Sequence, residues 1–416
     1  MLKLTFIADT HHYSETLGTE GRQYALRSGS DQKCLAETGA IIDAAFEKIG
    51  NSDTDFVLIA GDVSNDGEMV SHQEFRDKLY RLSEKKKVYL ITATHDWCND
   101  LNPRRYVGDS VYNDVPTMTA KELPLFYKDF GPDDAISRFT THIGTCSYVV
   151  QLNDNVRLLA LNDDKNEHNH AGFTEAHFCW IEEQLRQAKA DSCLMIGMEH
   201  HLLIPHISPL ITGGSTCVAD REYVASRLAD AGLKYMFVGH SHIQNTDSFK
   251  SAKGNVITEV NVGSLVGYPA PIVNVTIHDD MTLSYNVDYL EKFTFNGIEY
   301  DAEEYLKEHT LAIIHRLLDA PDIEEFGARL TAMQLNGDKL KKLYPVLKPI
   351  INLIKNGTVL QLYNKLKFMG LAKNMDKALA DKFKDYKVMD FVDRIFLSAF
   401  DGGRIIFDRT SDYYLF

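Results

Sequence analysis

A chain of 416 residues exceeds one typical domain and predicts a large domain followed by a smaller one. Its hydrophobic (44%) and charged (25%) fractions are those of an ordinary soluble protein, and its formal charge of −15 argues against wrapping duplex nucleic acid. Its six cysteines show no paired spacing, which argues against a disulfide framework or a zinc ribbon.

The start of the chain and its apolar runs bear on the compartment. Met1 leads directly into the first predicted strand, which leaves no room for a secretory signal. No apolar run approaches the roughly 18 residues of a membrane span. With reduced thiols as the simpler interpretation of the cysteines, we expect a cytoplasmic protein without a transmembrane segment, and the oligomeric state stays open.

The first predicted elements alternate between strand and helix. Apolar runs closed by polar residues predict strands at 4–8, 57–60 and 88–93. Helices are predicted between them, from an N-cap at Asp31 to Ile49 and from Met69 to Glu84, after a polar loop over 12–30. This order implies parallel pairing.

The following elements predict a second sheet. Residues 97–118 look irregular, and Thr119 with Glu122 forms a capping box for a short helix. A hairpin, a helix capped by Thr174, and alternating strands and helices follow. The predicted strands are 147–152, 156–162, 193–199, 235–238, 256–260, 271–277 and 282–289, with a helix over 220–231. Two facing sheets with helices outside fit this order best.

From about residue 301 the pattern is helical, so we place a domain boundary near 300 and predict an all-helical accessory domain over 301–416, a possible lid. The segment from Asn336 to Val388 contains twelve Lys and four Asp, so its net charge is +8 and that of the remaining chain is −23. This asymmetry suggests an anionic ligand, the acidic body of the protein or an acidic membrane surface as its partner. Amphipathic helices with solvated lysines explain it equally well.

Residues that can bind metal follow the predicted strands. A single histidine at a strand end is more often structural than a ligand, but here several share one predicted sheet edge, where α/β sheets place their chemistry. Mixed carboxylate and imidazole ligands suit Mn, Fe or Zn, and two ions sharing one carboxylate would perform a displacement on phosphorus. The residues are Asp9, His11, Asp62, His200, His240 and His242.

The order of these motifs resembles the calcineurin-like metallophosphoesterase superfamily over about residues 1–290. The resemblance implies an α/β fold, a four-layer αββα sandwich of two facing mixed β-sheets, with a site for two divalent metal ions between the sheets. It also implies the roles: Asp9, His11 and His242 on the first ion, Asp62 bridging, and His200 and His240 on the second. His95, oriented by Asp96, would protonate the leaving group while a metal-bound hydroxide attacks.

One position departs from the family pattern. The family has Asn before the His-Asp pair, with its amide oxygen on the second metal, whereas this chain has Thr94. A threonine hydroxyl is shorter and a poorer neutral donor. The second ion could therefore bind weakly, through water, or not at all.

Other candidates surround this site. His201 and His206 are pocket candidates, with His200 preferred over His201 as the ligand, and His12 and Cys98 are more simply incidental. Four arginines are candidates for bidentate contacts with a substrate phosphate, and we select Arg22 and Arg104 as substrate-binding. A position in a solvated loop, without a substrate contact, is the simpler interpretation of each. The four are Arg22, Arg27, Arg104 and Arg105.

These features predict a metallophosphoesterase acting on a small phosphorylated substrate, and a phosphodiesterase is our preferred interpretation. A phosphomonoesterase or a nucleotide pyrophosphohydrolase is the alternative within the same class. A non-catalytic metal-binding interaction module, favoured only by Thr94, is the alternative from another class.

Overall fold

The computed structural model describes residues 1–98, 103–206, 216–333, 335–370 and 377–402. The chain forms two compact units, one of Met1–Gly21 with Lys33–Leu306, the other of Arg22–Gln32 with the residues from Lys307 onward. The second unit thus starts six residues after the predicted boundary. It also contains residues 22–32, which the sequence placed in a loop and at the start of a helix of the first domain.

The elements are numbered in chain order over the described residues. The strands are β1 (Leu2–Ile7), β2 (Phe56–Ala60), β3 (Lys87–Ile91), β4 (Arg105–Val107), β5 (Ser110–Tyr112), β6 (Ser137–Thr140), β7 (Cys146–Asn153), β8 (Val156–Ala160), β9 (Leu194–Met198), β10 (Tyr235–Val238), β11 (Asn245–Lys250), β12 (Val256–Asn261), β13 (Pro271–Ile277), β14 (Leu283–Tyr289), β15 (Lys292–Phe295) and β16 (Ile298–Asp301). The helices are α1 (Arg22–Ser28), α2 (Thr38–Gly50), α3 (Met69–Ser83), α4 (Leu123–Phe126), α5 (Glu175–Ala190), α6 (Arg221–Ala231), α7 (Ala302–Leu318), α8 (Ile323–Ala332), α9 (Gly337–Leu340), α10 (Tyr344–Asn356), α11 (Val359–Phe368), α12 (Lys377–Lys382) and α13 (Val388–Phe400).

Two mixed sheets form the first unit. One has the order β14-β13-β1-β2-β3, and the other has the order β11-β12-β10-β9-β8-β7-β6. β1, β2 and β3 are parallel to one another, as are β8, β9, β10 and β12. The prediction of parallel pairing is confirmed, and the polar residues after these strands therefore meet at common sheet edges.

The two sheets share one apolar core. Phe6 on β1 and Phe237 on β10 stack with ring centroids 3.8 Å apart. Leu58 and Ala60 of β2 point into this core. Their buried neighbours Val57 and Ile59 point the opposite way, because side chains alternate along a strand. The predicted α/β fold of two facing mixed sheets with a C-terminal helical region is confirmed.

Helices cover the outer face of the second sheet. The apolar side chains of α5 and α6 pack on that face. Thr174 caps α5 as predicted, because its hydroxyl accepts a hydrogen bond from the His177 amide. The two helices also hold each other, since Arg227 of α6 pairs with Glu175 and Glu182 of α5.

Three local predictions were wrong. Asp31 does not cap α2, which begins at Thr38, because the Asp31 carboxylate pairs with Arg27. The predicted loop over 12–30 contains α1, and the predicted irregular segment contains the β4–β5 hairpin. Every side chain of β5 is exposed, so this hairpin lacks the apolar alternation that reveals a strand.

The helices of the second unit agree in type with the prediction. The helical pattern is interrupted by a 3₁₀ turn at Lys341–Leu343, between α9 and α10. Pro345 lies at the first turn of α10, where proline lacks the amide that would continue the preceding helix. Among the described residues, no helix has both the length and the apolarity needed to cross a membrane.

Replacing His177 by phenylalanine should make the first unit less sensitive to acid. His177 lies between Phe139, 4.4 Å away and stacked, and Phe173, and burial lowers its pKa to about 3. The unfolded chain protonates this residue below about pH 6.5, whereas the folded chain does not, so stability is lost as pH falls from 6.5 toward 3. By pH 5 the loss is about 2 kcal/mol, at 1.4 kcal/mol per pH unit.

Denaturant titrations at pH 7.5 and 5 measure this effect. The unfolding free energy of His177→Phe minus that of the wild type should rise by about 2 kcal/mol over this interval. The exposed His142, replaced in the same way, is the matched control and should give no such rise. An equal rise in both variants would contradict the assignment to the buried ring.

Candidate metal centre

Tight turns follow β1, β2 and β10 at one edge of the two sheets. Asp9 and Asp62 come two residues after β1 and β2, and the amide of His11 donates to the Asp62 carbonyl at 2.9 Å. Five polar residues of these turns have left-handed backbone angles, a strained state that clusters at functional sites. They are Asp9 (φ 51°), His11 (39°), Asp62 (50°), His240 (68°) and His242 (59°).

Two glycines let these turns approach one another. A Cβ on Gly61 would lie 2.7 Å from His200 Nδ1, and Gly61 also has φ 87°. A Cβ on Gly239 would lie 2.5 Å from Asp9 Oδ2. Any side chain at either position would push the ligand-type residues apart, which explains the Gly-Asp and Gly-His sequences.

Asp9, His11 and His242 form the first group of potential ligands. One ligand-type atom of each lies within 4.8 Å of the others. The two Nε2 atoms of His11 and His242 are 3.0 Å apart, and Asp9 Oδ1 lies 3.6 and 3.5 Å from them. The amide of His240 donates to both Asp9 oxygens and fixes the carboxylate.

Asp62, His200 and His240 form the second group, again within 4.8 Å. His200 Nδ1 donates to the Ala60 carbonyl at 2.8 Å, which turns Nε2 toward Asp62 Oδ2 at 3.0 Å. Asp62 also lies 3.9 Å from His11 Nε2. The Asp62 carboxylate is therefore within reach of both groups.

Burial and charge prepare these residues to bind a cation. Burial would raise the pKa of Asp62, but the attraction of His200 and His95 prevails and holds it well below its ordinary value. Burial lowers the pKa of His11 and His240 well below 6.5, so both rings are neutral, the form that binds metal. Burial raises the pKa of Asp9 to about 7.

The donor set passes a direct test of fit. His11 Nδ1 is buried and has no hydrogen-bond partner among the described residues, and His200 Nε2 is buried and faces the Asp62 carboxylate. Two groups that combine carboxylate oxygens with imidazoles match the ligand preferences of Mn, Fe and Zn. These clusters could bind metal.

The surroundings of His95 correct one prediction. Its amide donates to Asp62 Oδ1 at 3.0 Å, and its Nδ1 contacts the Asn65 carbonyl and lies 3.3 Å from Asp66 Oδ1. Burial lowers the pKa of His95, but Asp62 and Asp66 outweigh it and the net shift is upward.

Asp96 does not orient this ring, contrary to the prediction. Its carboxylate accepts from the Ala93 amide at 2.8 Å and from the amide and hydroxyl of Ser64, so it holds the turn together. Burial raises its pKa to about 7. Asp66 is the carboxylate beside His95, and its place just after the Gly-Asp motif was the available signal.

The other predicted candidates are scattered. Arg22 belongs to the second unit and pairs with Glu325, while Arg105 binds Asp114 within its hairpin. Arg104 lies half-buried just before β4, and Thr94 lies half-buried in the turn after β3. The Nε2 of His206, a candidate for a pocket or supporting role, is buried against Glu259 at 2.9 Å.

A cavity of about 760 Å³ adjoins the second group. His201 and His240 line it, together with residues that no sequence motif revealed, among them His170, Arg221 and Tyr223. Arg221 pairs with Glu222 at 3.0 Å, and Asp220 is also in the lining. His170 lies in a loop, whereas Arg221 and Tyr223 lie in the first turn of α6, so their proximity follows only from the fold.

Comparison with known proteins identifies one family. The sequence profile described as calcineurin-like phosphoesterase matches residues 2–244. No match to the chain is found among curated protein sequences.

Several solved structures are similar. A dimetal phosphatase from Danio rerio is 12% identical, with 70% of this chain and 99% of that chain covered and a TM-score of 0.48. A purple acid phosphatase from yellow lupin (12% identity, 72% and 52% covered, TM-score 0.43) and a 5'-nucleotidase precursor from Thermus thermophilus (13%, 77% and 59%, 0.38) are matched over little more than half of their own lengths. All three TM-scores lie below 0.5, so the family assignment rests on the sequence profile.

Proposed function

Because the chain belongs to the calcineurin-like phosphoesterase family, we propose that it is a metal-dependent phosphodiesterase for a small phosphorylated substrate. The observation that carries the proposal is the place of Asp62, which lies within reach of two groups of buried ligand-type side chains while it accepts a hydrogen bond from the amide of His95. A general acid and two cation sites thereby share one carboxylate.

The two groups would hold two divalent ions, Mn, Fe or Zn. Asp9, His11 and His242 would bind the first ion, and His200 and His240 would bind the second. Asp62 would be shared by both groups, and Thr94 would be a weak ligand of the second ion. When bound, such ions supply Lewis acidity to phosphoryl oxygens and a nucleophile at neutral pH. The lowered pKa values of His11 and His240 and the unpartnered Nδ1 of His11 support this assignment.

His95 would act as the general acid. With Nδ1 toward the Asn65 carbonyl and Asp66, the other ring nitrogen, Nε2, is left to hold a proton for the leaving oxygen. The raised pKa supports a ring that stays protonated near neutral pH. The backbone contact with Asp62 keeps this ring beside both ligand groups.

The charge of the adjoining cavity favours a diester over a monoester. Arg221 is its one arginine among the lining residues that the structure describes, and Asp220 and Glu222 outweigh it. An acidic lining disfavours a monoester dianion more than a diester monoanion. The alternative, a phosphomonoesterase or nucleotide pyrophosphohydrolase, would require a cavity lining with more positive charge.

Turnover of two chromogenic substrates tests the proposal. Metal-stripped protein reloaded with Mn should hydrolyse bis(p-nitrophenyl) phosphate faster than p-nitrophenyl phosphate, and neither without metal. The reverse order would favour the monoesterase. No turnover of either by folded, metal-loaded protein would favour the non-catalytic metal-binding module. The cytoplasmic location and the accessory or lid role of residues 301–416 stay predictions.

Replacing Thr94 by asparagine should tighten binding at the second metal group. The asparagine amide oxygen reaches further than the threonine hydroxyl and is a better neutral ligand for a metal ion. We expect the dissociation constant of the more weakly bound Mn ion to fall about tenfold, equivalent to 1.4 kcal/mol. Calorimetric titration of metal-stripped protein measures it. Thr94→Val, which removes the hydroxyl at equal size, is the matched control and should not tighten binding; unchanged affinity in Thr94→Asn would contradict the prediction.

A further inference from the structure

Another group of buried ligand-type side chains lies beside the cavity. One ligand-type atom from each of Asp163, Asp164 and His201 lies within 4.8 Å of the others, and all three residues are buried. Asp163 and Asp164 follow β8, and His201 follows β9. Because these strands are parallel neighbours, their ends bring the three residues to one edge of the sheet. None of them belongs to the two groups described above.

The contacts within this group leave one oxygen without a partner. Asp163 accepts from the His201 amide at 2.8 Å, and its Oδ1 lies 3.1 Å from His201 Nδ1. Asp164 Oδ2 accepts from Trp97 Nε1 at 2.8 Å and from the Asn162 amide group. Asp164 is only 2% exposed, and its buried Oδ1 has no hydrogen-bond partner among the described residues.

The charges of the group are also unbalanced. Two buried carboxylates face one imidazole, and no described lysine or arginine forms an ion pair with either of them. Nearby, both carboxylate oxygens of Glu199 are buried without a partner among the described residues. A buried carboxylate without a counter-charge is costly, so such a group takes up a proton or a cation. Burial, followed by repulsion from Asp163, raises the pKa of Asp164 to about 7.

We propose that Asp163, Asp164 and His201 bind a third divalent cation, distinct from the two ions assigned to the family motifs. Two carboxylate oxygens and one imidazole nitrogen suit Mn or Zn. Three protein ligands leave a position open for water or substrate, as in catalytic rather than structural sites. His201 also lines the cavity, with its ring centroid 4.3 Å from that of His240, so the ion would border the space where a substrate enters.

Asp164→Asn tests the proposal without disturbing the packing. The amide has the shape of the carboxylate, and its oxygen can keep the hydrogen bonds from Trp97 and Asn162, while an NH₂ group replaces the unpartnered oxygen. Metal-stripped protein is saturated with Mn, freed of excess metal, and its Mn content per chain is measured. We expect the variant to hold one Mn fewer than the wild type.

Two controls separate this site from the family site. Trp97→Phe removes the hydrogen bond to Asp164 but no ligand, and should hold as much Mn as the wild type. Asp62→Asn should lose the other ions and keep the one at Asp163, Asp164 and His201, so failure of the proposed function would leave this result intact. Equal Mn content in Asp164→Asn and wild type overturns the proposal.

A direct observation covers the case in which the variant does not fold. Crystals of the wild-type protein grown with Mn should show an anomalous peak within about 2.5 Å of oxygens of Asp163 and Asp164. Peaks only at the groups around Asp62 would overturn the proposal.

Discussion

Replacing His95 by alanine is expected to lower kcat by about 10² to 10⁴-fold, the range for loss of a positioned general acid. The imidazole lies beside the Asp62 carboxylate that both ligand groups approach, since the His95 amide binds Asp62 and its Nδ1 faces Asp66. Mn content should be unchanged, because the proposed ligands remain. Steady-state hydrolysis of a chromogenic diester measures the effect, with the exposed His168→Ala as the matched control.

The pH profile separates a general acid from a merely structural residue. A general acid must be protonated, so kcat should fall as pH rises through the pKa of His95, and this limb should be absent in His95→Ala. Asp66 contributes to the raised pKa of His95. Asp66→Asn should therefore lower that pKa and move the basic limb to lower pH. An unmoved limb in Asp66→Asn, or full activity in His95→Ala, would refute the assigned role.

Replacing Asp62 by asparagine is expected to remove most of the bound metal and to lower the activity more than about 100-fold. Even the replacement of a residue that hydrogen-bonds to a metal ligand typically lowers metal affinity or activity 10–100-fold. The Asp62 carboxylate lies 3.0 Å from His200 Nε2 and 3.9 Å from His11 Nε2, so a neutral amide weakens both groups. Metal analysis of the purified variant gives the first readout, and diester hydrolysis in excess Mn gives the second.

A matched aspartate shows whether the loss is specific. Asp66→Asn makes the same change of charge four residues away, beside His95 and outside both ligand groups, so it should keep its metal. If Asp62→Asn retained the metal content of the wild type, the shared role of this carboxylate would be wrong. Circular dichroism of both variants checks that the fold is intact.

The sequence predicted the fold because its strands are strongly apolar and end on informative residues. The runs before Asp9, Asp62, His200 and His240 are all observed as strands, and their parallel pairing brings the polar residues together as expected. The family was recognised for the same reason, since short motifs at strand ends tolerate divergence elsewhere in the chain.

Features that depend on contacts across the chain escaped prediction. Asp96 follows His95 directly, yet its side chain turns toward the backbone of Ala93 and Ser64, whereas Asp66, about thirty residues earlier, reaches the ring. Neighbours in sequence at a tight turn often point in different directions. The residues that line the cavity were not predicted, for another reason. Arg221 and Tyr223 begin a helix that carries no recognisable sequence motif.

The division of the ligand-type residues between the two sheets has a consequence for folding. Asp9, His11 and Asp62 follow strands of one sheet, whereas His200, His240 and His242 follow strands of the other. A site assembled in this way exists only when both halves of the first unit are in register. Metal affinity would thus be coupled to global unfolding, and each site filled at 100 times its dissociation constant would add about 2.7 kcal/mol to the stability of the native state. Metal supply would then govern how long the protein persists as well as how fast it works.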